Sequence, residues 1–253
     1  MTIKISELID YIEAIAPLNT QEDWDNCGLQ LGDKQADLKG VLLSMDLTDR
    51  AVDKALVEGK NLILCHHPFF FNEIKKIDIG TYKGALIKKL IDNSITVYSA
   101  HTNLDKAVGG VNYALAEKFP LKKLENISQY FEDEIGTVGE IEEVSLGDFK
   151  KVLDKNFKDY KIYGRSKDNI KKLAFIGGSG AFGIKIAKAL GCDVLITADI
   201  KHHDGQLAYE EDLLLVDLGH FQSEFPVLYS MKNLIEEEFK DLSVDIFTDP
   251  VFF

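Results

Sequence analysis

Cysteine is scarce in this chain. There are three in 253 residues, Cys27, Cys65 and Cys192, an odd number with no CxxC pair. That argues against a disulfide scaffold and points to a reducing, cytoplasmic setting. Basic charge is short as well: 29 Lys and Arg stand against 42 Asp and Glu, a formal net charge of −13. General affinity for phosphate backbones needs clustered cations, so direct nucleic-acid binding is not expected. No apolar run approaches the ~20 residues of a membrane helix. The opening stretch MTIKISELIDYIEAIAP lacks the apolar core of a signal peptide, and no membrane association is expected. There is no Pro/Gly/Ser-rich linker and no low-complexity tract. No GxSxG elbow is present either, since Ser179 lies in GGSGA.

Histidine is also rare, and its placement is informative. All six histidines fall into four short clusters. They are LILCHHP (His66, His67), YSAHTNLD (His101, with Asp105), ADIKHHD (His202, His203, with Asp199 and Lys201) and VDLGHFQSE (His220, with Glu224). Each follows an apolar run and reads as a strand-to-helix junction. Imidazole and carboxylate at strand ends suit zinc, iron or manganese, and two such ions can share a bridging carboxylate.

Neighbours on a strand face opposite sides, but where a strand ends both rings of His66 and His67 can turn into one cavity. Capping a turn, or packing on the phenylalanines at 69–71, is the other reading. In HTNLD and HFQSE the four-residue spacing sets histidine and carboxylate on one side of a starting helix. His101 is then a ligand, a group orienting Asp105, or an acid/base; a helix cap is the alternative for Asp105. Asp199, Lys201, His202 and His203 are candidates to meet a small anionic substrate, or else a solvated helix start. Cys65 abuts His66, but strand alternation directs it into the sheet core.

Strands and helices alternate, with nearly continuous apolar strands that suit mostly parallel sheets in an α/β fold. Helices are expected over 6–16 (capped by Ser6), 50–58, 82–92, 110–118, 182–190 and 205–210. A last long helix runs to residue 240, with Val227, Leu228, Met231, Leu234, Ile235 and Phe239 on one stripe. The stretch 121–169 is more polar and less regular. The halves repeat weakly: the run from Gly59 to His67 parallels that from Gly191 to Asp199, and His101 to Asp105 parallels His220 to Glu224. The expectation is one domain of two related lobes, roughly 1–120 and 121–253, whose strand C-termini frame a site between them. The turn FIGGSGAFG reads as a phosphate-cradling nest or simply as a tight strand-to-helix turn. In WDNCGLQLGD, Trp24 is a pocket wall or a buried aromatic in a hairpin-like turn.

As an ordered set, WDNCGLQLG, LILCHHPFFF, YSAHTNLDKAVGGVN, VLITAD followed by HH, and VDLGHFQSE resemble the NIF-three-like dinuclear-metal-centre family, also known as GTP cyclohydrolase 1 type 2. The similarity spans essentially the whole chain. Where the family commonly reads TGD, this chain has Thr197-Ala198-Asp199. The resemblance implies two divalent ions on His66, His67, Asp105, His220 and Glu224, with Glu224 bridging. It also implies a homohexameric ring and hydrolytic opening of the guanine ring of GTP with release of formate; in that reaction His101 is expected to move a proton. A non-catalytic metal-binding regulatory protein, or a two-metal hydrolase of another substrate, is the competing expectation.

Overall fold

The computed structural model describes residues 3–132 and 134–248. The chain forms two compact units, Met1–Ala107 with Leu228–Phe253, and Val108–Val227. The lobe boundary expected near residue 120 thus falls earlier, and the C-terminal segment belongs with the first unit. No local pattern announces that return. It rests on a parallel pairing between strands about two hundred residues apart, Val244 opposite Val41.

The first unit opens with α1 (Ile5–Ile15). Ser6 is not its cap: Lys4 holds that place, and Glu7 Oε1 accepts the Lys4 N–H at 2.7 Å. Then follow β1 (Gly28–Leu31), β2 (Val41–Ser44), α2 (Asp49–Val57), β3 (Leu62–Cys65), α3 (Tyr82–Asp92), β4 (Thr96–Ser99) and the short α4 (Thr102–Lys106). Thr48 and Thr81 start α2 and α3 by accepting the N–H groups of Ala51 and Gly84.

The second unit contains α5 (Val111–Ala116), β5 (Lys123–Asn126), β6 (Thr137–Ser145), α6 (Leu146–Asn156), β7 (Lys161–Gly164), β8 (Asn169–Phe175), α7 (Ile184–Ala189), β9 (Val194–Thr197), α8 (His202–Glu210), β10 (Leu214–Asp217) and α9 (His220–Glu224). Finally come α10 (Pro226–Glu238) and β11 (Val244–Phe247). No helix among the described residues is long and apolar enough to cross a membrane.

The first sheet runs β1-β4-β3-β2-β11, all parallel except β1. The second runs β5-β6-β8-β9-β10-β7, in which only the neighbours β8–β9 and β9–β10 pair in parallel. The fold is α/β as expected, but its second sheet is mixed. Four strands recur in the same order and sense in both units: β1-β4-β3-β2 matches β7-β10-β9-β8.

Side chains alternate across each sheet. On one face of the first, Leu42, Ile63, Cys65 and Val97 pack on Ala51, Val52, Leu86 and Leu90; on the other, Leu43 and Leu64 line a small cavity together with Leu228 and Met231 of α10. Cys65 therefore lies in the core, and burial pushes its thiol far up. In the second sheet Leu173, Phe175, Val194 and Ile196 face Phe149 and Leu153, while Ala174, Leu195 and Leu215 face Ile184 and Ala187.

Candidate metal centre

The parallel register brings the histidine clusters of the first unit to one edge. Cys65 pairs with Ser99 and Ser44 with Cys65, so β2, β3 and β4 end side by side. The ladder continues past them, with His66 N–H and His67 N–H donating to the Ser44 and Met45 carbonyls at 3.0 Å each. His66 and His67 leave the end of β3, and His101 leaves the end of β4. Their ligand atoms all lie within 4.8 Å of one another, a group able to hold a metal ion.

Each of these rings is fixed through Nδ1. His66 Nδ1 meets the Ala100 carbonyl at 2.8 Å, His67 Nδ1 meets Asp46 Oδ1 at 2.8 Å, and His101 Nδ1 meets Asp25 Oδ1 at 2.9 Å. A carbonyl oxygen can only accept, so His66 carries a proton on Nδ1, and in the neutral ring Nε2 is the lone-pair atom. Ionised carboxylates impose the same choice on His67 and His101. Such an acceptor behind the ring is what orients a metal-ligating histidine and raises its basicity.

Asp105 completes the edge. α4 begins immediately after His101, and its first turn carries the Asp105 carboxylate to 3.7 Å from His66 Nε2. That is too long for a hydrogen bond. It fits two ligand atoms on one ion, which at metal–ligand distances of ~2.0–2.2 Å stand roughly 3–4 Å apart. Asp25 anchors the whole corner. Burial by itself would raise its carboxyl, but hydrogen bonds from His101, Thr102 and Cys27 outweigh it and hold the group well below the usual carboxylate range. Cys27 is pushed up to about 12, chiefly by burial, and stays a thiol.

The second unit repeats the device. His220 begins α9, and its Nδ1 meets Asp199 Oδ2 at 2.8 Å while its Nε2 lies 3.0 Å from Glu224 Oε2. Asp199 stands where His67 stands in the first unit, two residues past the strand. It adopts φ 56°, a left-handed conformation that aspartate tolerates better than most residues. Asp199, expected among substrate contacts, is thus the partner that orients His220.

Glu224 is 4% exposed, and glycine makes room for it. A Cβ on Gly178 (φ +63°) would fall 2.1 Å from Glu224 Oε1. This explains the glycine turn better than a phosphate does. Its N–H groups are used internally: Gly177 donates to Asn112 Oδ1, Gly178 to Ser223 Oγ and Gly180 to Thr197 Oγ1.

Lys201, His202 and His203 are exposed at the start of α8, where Asp204 Oδ2 accepts the Lys201 N–H at 2.8 Å. The two histidine rings lie 5.3 Å apart. Sequence reasoning missed Asp25 and Asp46. Both stand outside the histidine clusters, and the one available signal was that each follows or precedes a strand leading to the same edge. Trp24 is 58% exposed, which removes the buried-aromatic reading of its loop.

A family model described as Duf34/NIF3 (NGG1p interacting factor 3) matches residues 3–250. The chain is 35% identical over 241 residues to a GTP cyclohydrolase 1 type 2 homolog of Clostridium perfringens, spanning 93% of this chain and 92% of that relative. A protein of the same name from Methanocaldococcus jannaschii is 34% identical over 248 residues, 96% of this chain and 98% of its own length. Among solved structures, a Staphylococcus aureus hypothetical protein superposes with TM-score 0.88 at 28% identity, covering 98% of this chain and 97% of that one. Reduced HcgD from Methanocaldococcus jannaschii superposes with TM-score 0.86 at 30% identity, covering 98% and 99%.

Proposed function

Since the chain belongs to the Duf34/NIF3 family, we propose that it is a dinuclear metal-dependent hydrolase of the GTP cyclohydrolase 1 type 2 kind. It opens the imidazole ring of the guanine of GTP, with loss of C8 as formate. One observation carries this. Three histidines at strand ends, His66 and His67 in one unit and His220 in the other, each have Nδ1 fixed by an oxygen acceptor. Cores and caps do not need that repeated arrangement; metal ligands do.

In this reading His66, His67, Asp105, His220 and Glu224 would hold two divalent ions (zinc, iron or manganese), with Glu224 the carboxylate available to both. Bound there, the ions would supply Lewis acidity and would lower the pKa of a water from about 15.7 towards ~7. Asp46 and Asp199 orient His67 and His220. His101 is the proton carrier: with Nδ1–H directed at the Asp25 carboxylate, Nε2 takes up a proton, the adjacent anion stabilises the imidazolium, and the proton passes to the departing nitrogen. Lys201, His202 and His203 offer cationic or donor groups to the triphosphate. A cytoplasmic homohexamer is part of the same reading.

The test is formate release from GTP by protein reconstituted with each ion. Metal-dependent formate is expected. Bound metal with no formate would overturn the cyclohydrolase assignment in favour of another substrate or a non-catalytic metal-binding regulatory role.

A further inference from the structure

Two large aromatic side chains stand in solvent beside the histidine cluster of the first unit. Trp24 is 58% and Phe71 50% exposed. Their ring centroids are 5.7 Å apart with planes tilted by 50°. Each ring meets His101 edge-on, at 6.1 Å from Trp24 and 6.4 Å from Phe71. Rings of this size are ordinarily drawn inward, because burying them contributes strongly to stability.

The loops that carry these two rings are tied together at their bases. Asn26 Nδ2 donates to the Phe70 carbonyl at 2.8 Å, the Phe70 N–H donates to Gln30 Oε1 at 3.0 Å, and Gln30 Nε2 donates to the Asn26 carbonyl at 2.7 Å. Beside Trp24, Asp25 is tied to His101 and Thr102. Behind Phe71, Phe69 packs on the core of the unit, with the Lys83 ammonium 4.8 Å from its ring centroid. Two loops remote in sequence are cross-tied at their bases while the rings they carry remain outside. Fixed aromatic faces open to solvent are what a stacking platform for planar bases requires, since every base has a π face to offer.

We propose that Trp24 and Phe71 act as a clamp in the form of an open stacking platform, on whose solvent faces a planar heteroaromatic ring of purine type lies with its edge against His101; the choice of a purine rests on the cyclohydrolase reading above. The clamp supplies stacking contacts to the ring system, a role given neither to the proposed metal ligands nor to Lys201, His202 and His203.

Trp24 is the single tryptophan of the chain, so its fluorescence reports on the clamp alone. The protein as purified is titrated with guanosine, and separately with ribose 5-phosphate and with inorganic triphosphate. Saturable quenching by guanosine, absent with the other two, is expected. Phe71→Ala keeps the reporter and weakens guanosine binding on the order of ten-fold, the loss of one stacking contact. Phe71→Tyr restores it, and both variants keep the circular dichroism and metal uptake of the parent. No saturable quenching, or a Phe71→Ala protein that binds guanosine as the parent does, overturns the proposal. The clamp and the cyclohydrolase reading fail separately. Formate release with an unchanged KM for GTP in Phe71→Ala sinks the clamp alone. Guanosine binding that Phe71→Ala weakens, in a protein releasing no formate, sinks the cyclohydrolase reading and leaves the clamp.

Discussion

Asp25→Ala removes a carboxylate on which five donors converge. Oδ1 accepts from His101 Nδ1 at 2.9 Å and the Asn26 N–H at 2.8 Å. Oδ2 accepts from the Thr102 N–H at 3.1 Å, Thr102 Oγ1 at 2.5 Å and Cys27 Sγ at 3.1 Å. The carboxylate side chain is fully covered, and that of His101 is 14% exposed. The hydroxyl and thiol can turn to other acceptors, and the Asn26 N–H lies on an exposed loop residue. The Thr102 N–H and the His101 Nδ1–H cannot turn. Each buried donor left without its acceptor costs ~1–3 kcal/mol, so the loss is about 3 kcal/mol. At ~2–4 °C per kcal/mol for a chain of this size, Tm falls by about 6–12 °C.

The pH dependence has a definite sign. The folded-state pKa of Asp25 is lowered, so its stabilisation is fully present above the unfolded value of ~3.9 and is lost as pH falls through the folded value. The gap in Tm between parent and Asp25→Ala, followed by circular dichroism, does not narrow between pH 7 and 5 and begins to close only below about 4. A drop of less than ~2 °C, which is under 1 kcal/mol, would refute the claim that this carboxylate organises the corner. So would a gap that closes between pH 7 and 5.

Gly178→Ala places a Cβ on the Glu224 carboxylate and also forces a left-handed backbone, at roughly 1–2 kcal/mol for the backbone alone. Reconstituted protein is expected to lose bound metal by elemental analysis. Gly191→Ala, at φ +70° with nothing within 4 Å of the new methyl group, bears only the backbone strain and retains metal. His101→Ala lowers turnover on the order of 10²–10⁴-fold with metal content unchanged, as expected of a proton carrier; a large loss of metal would make it a ligand instead.

The gathering of histidines was legible because rare residue types stood at the ends of apolar strands, and a parallel sheet delivers strand ends to one edge. His66, His67 and His101 met there for that reason. The weak repeat was legible too, and it reappears as four strands in the same order in each unit. What stayed hidden depends on pairings with no periodic signature. Asp25 reaches His101 across 76 residues and Asp46 reaches His67 across 21. The purpose of Gly178 shows only once Glu224 is seen against it. Edge strands such as β5 and β7 carry short, mixed sequences that an apolar-run criterion passes over.

The central claim is that these residues hold metal, and elemental analysis of protein purified without a histidine tag tests it most directly. Close to two divalent ions per chain, lost in His67→Ala, is the predicted result. No stoichiometric metal, even after reconstitution with zinc, iron or manganese, would contradict it.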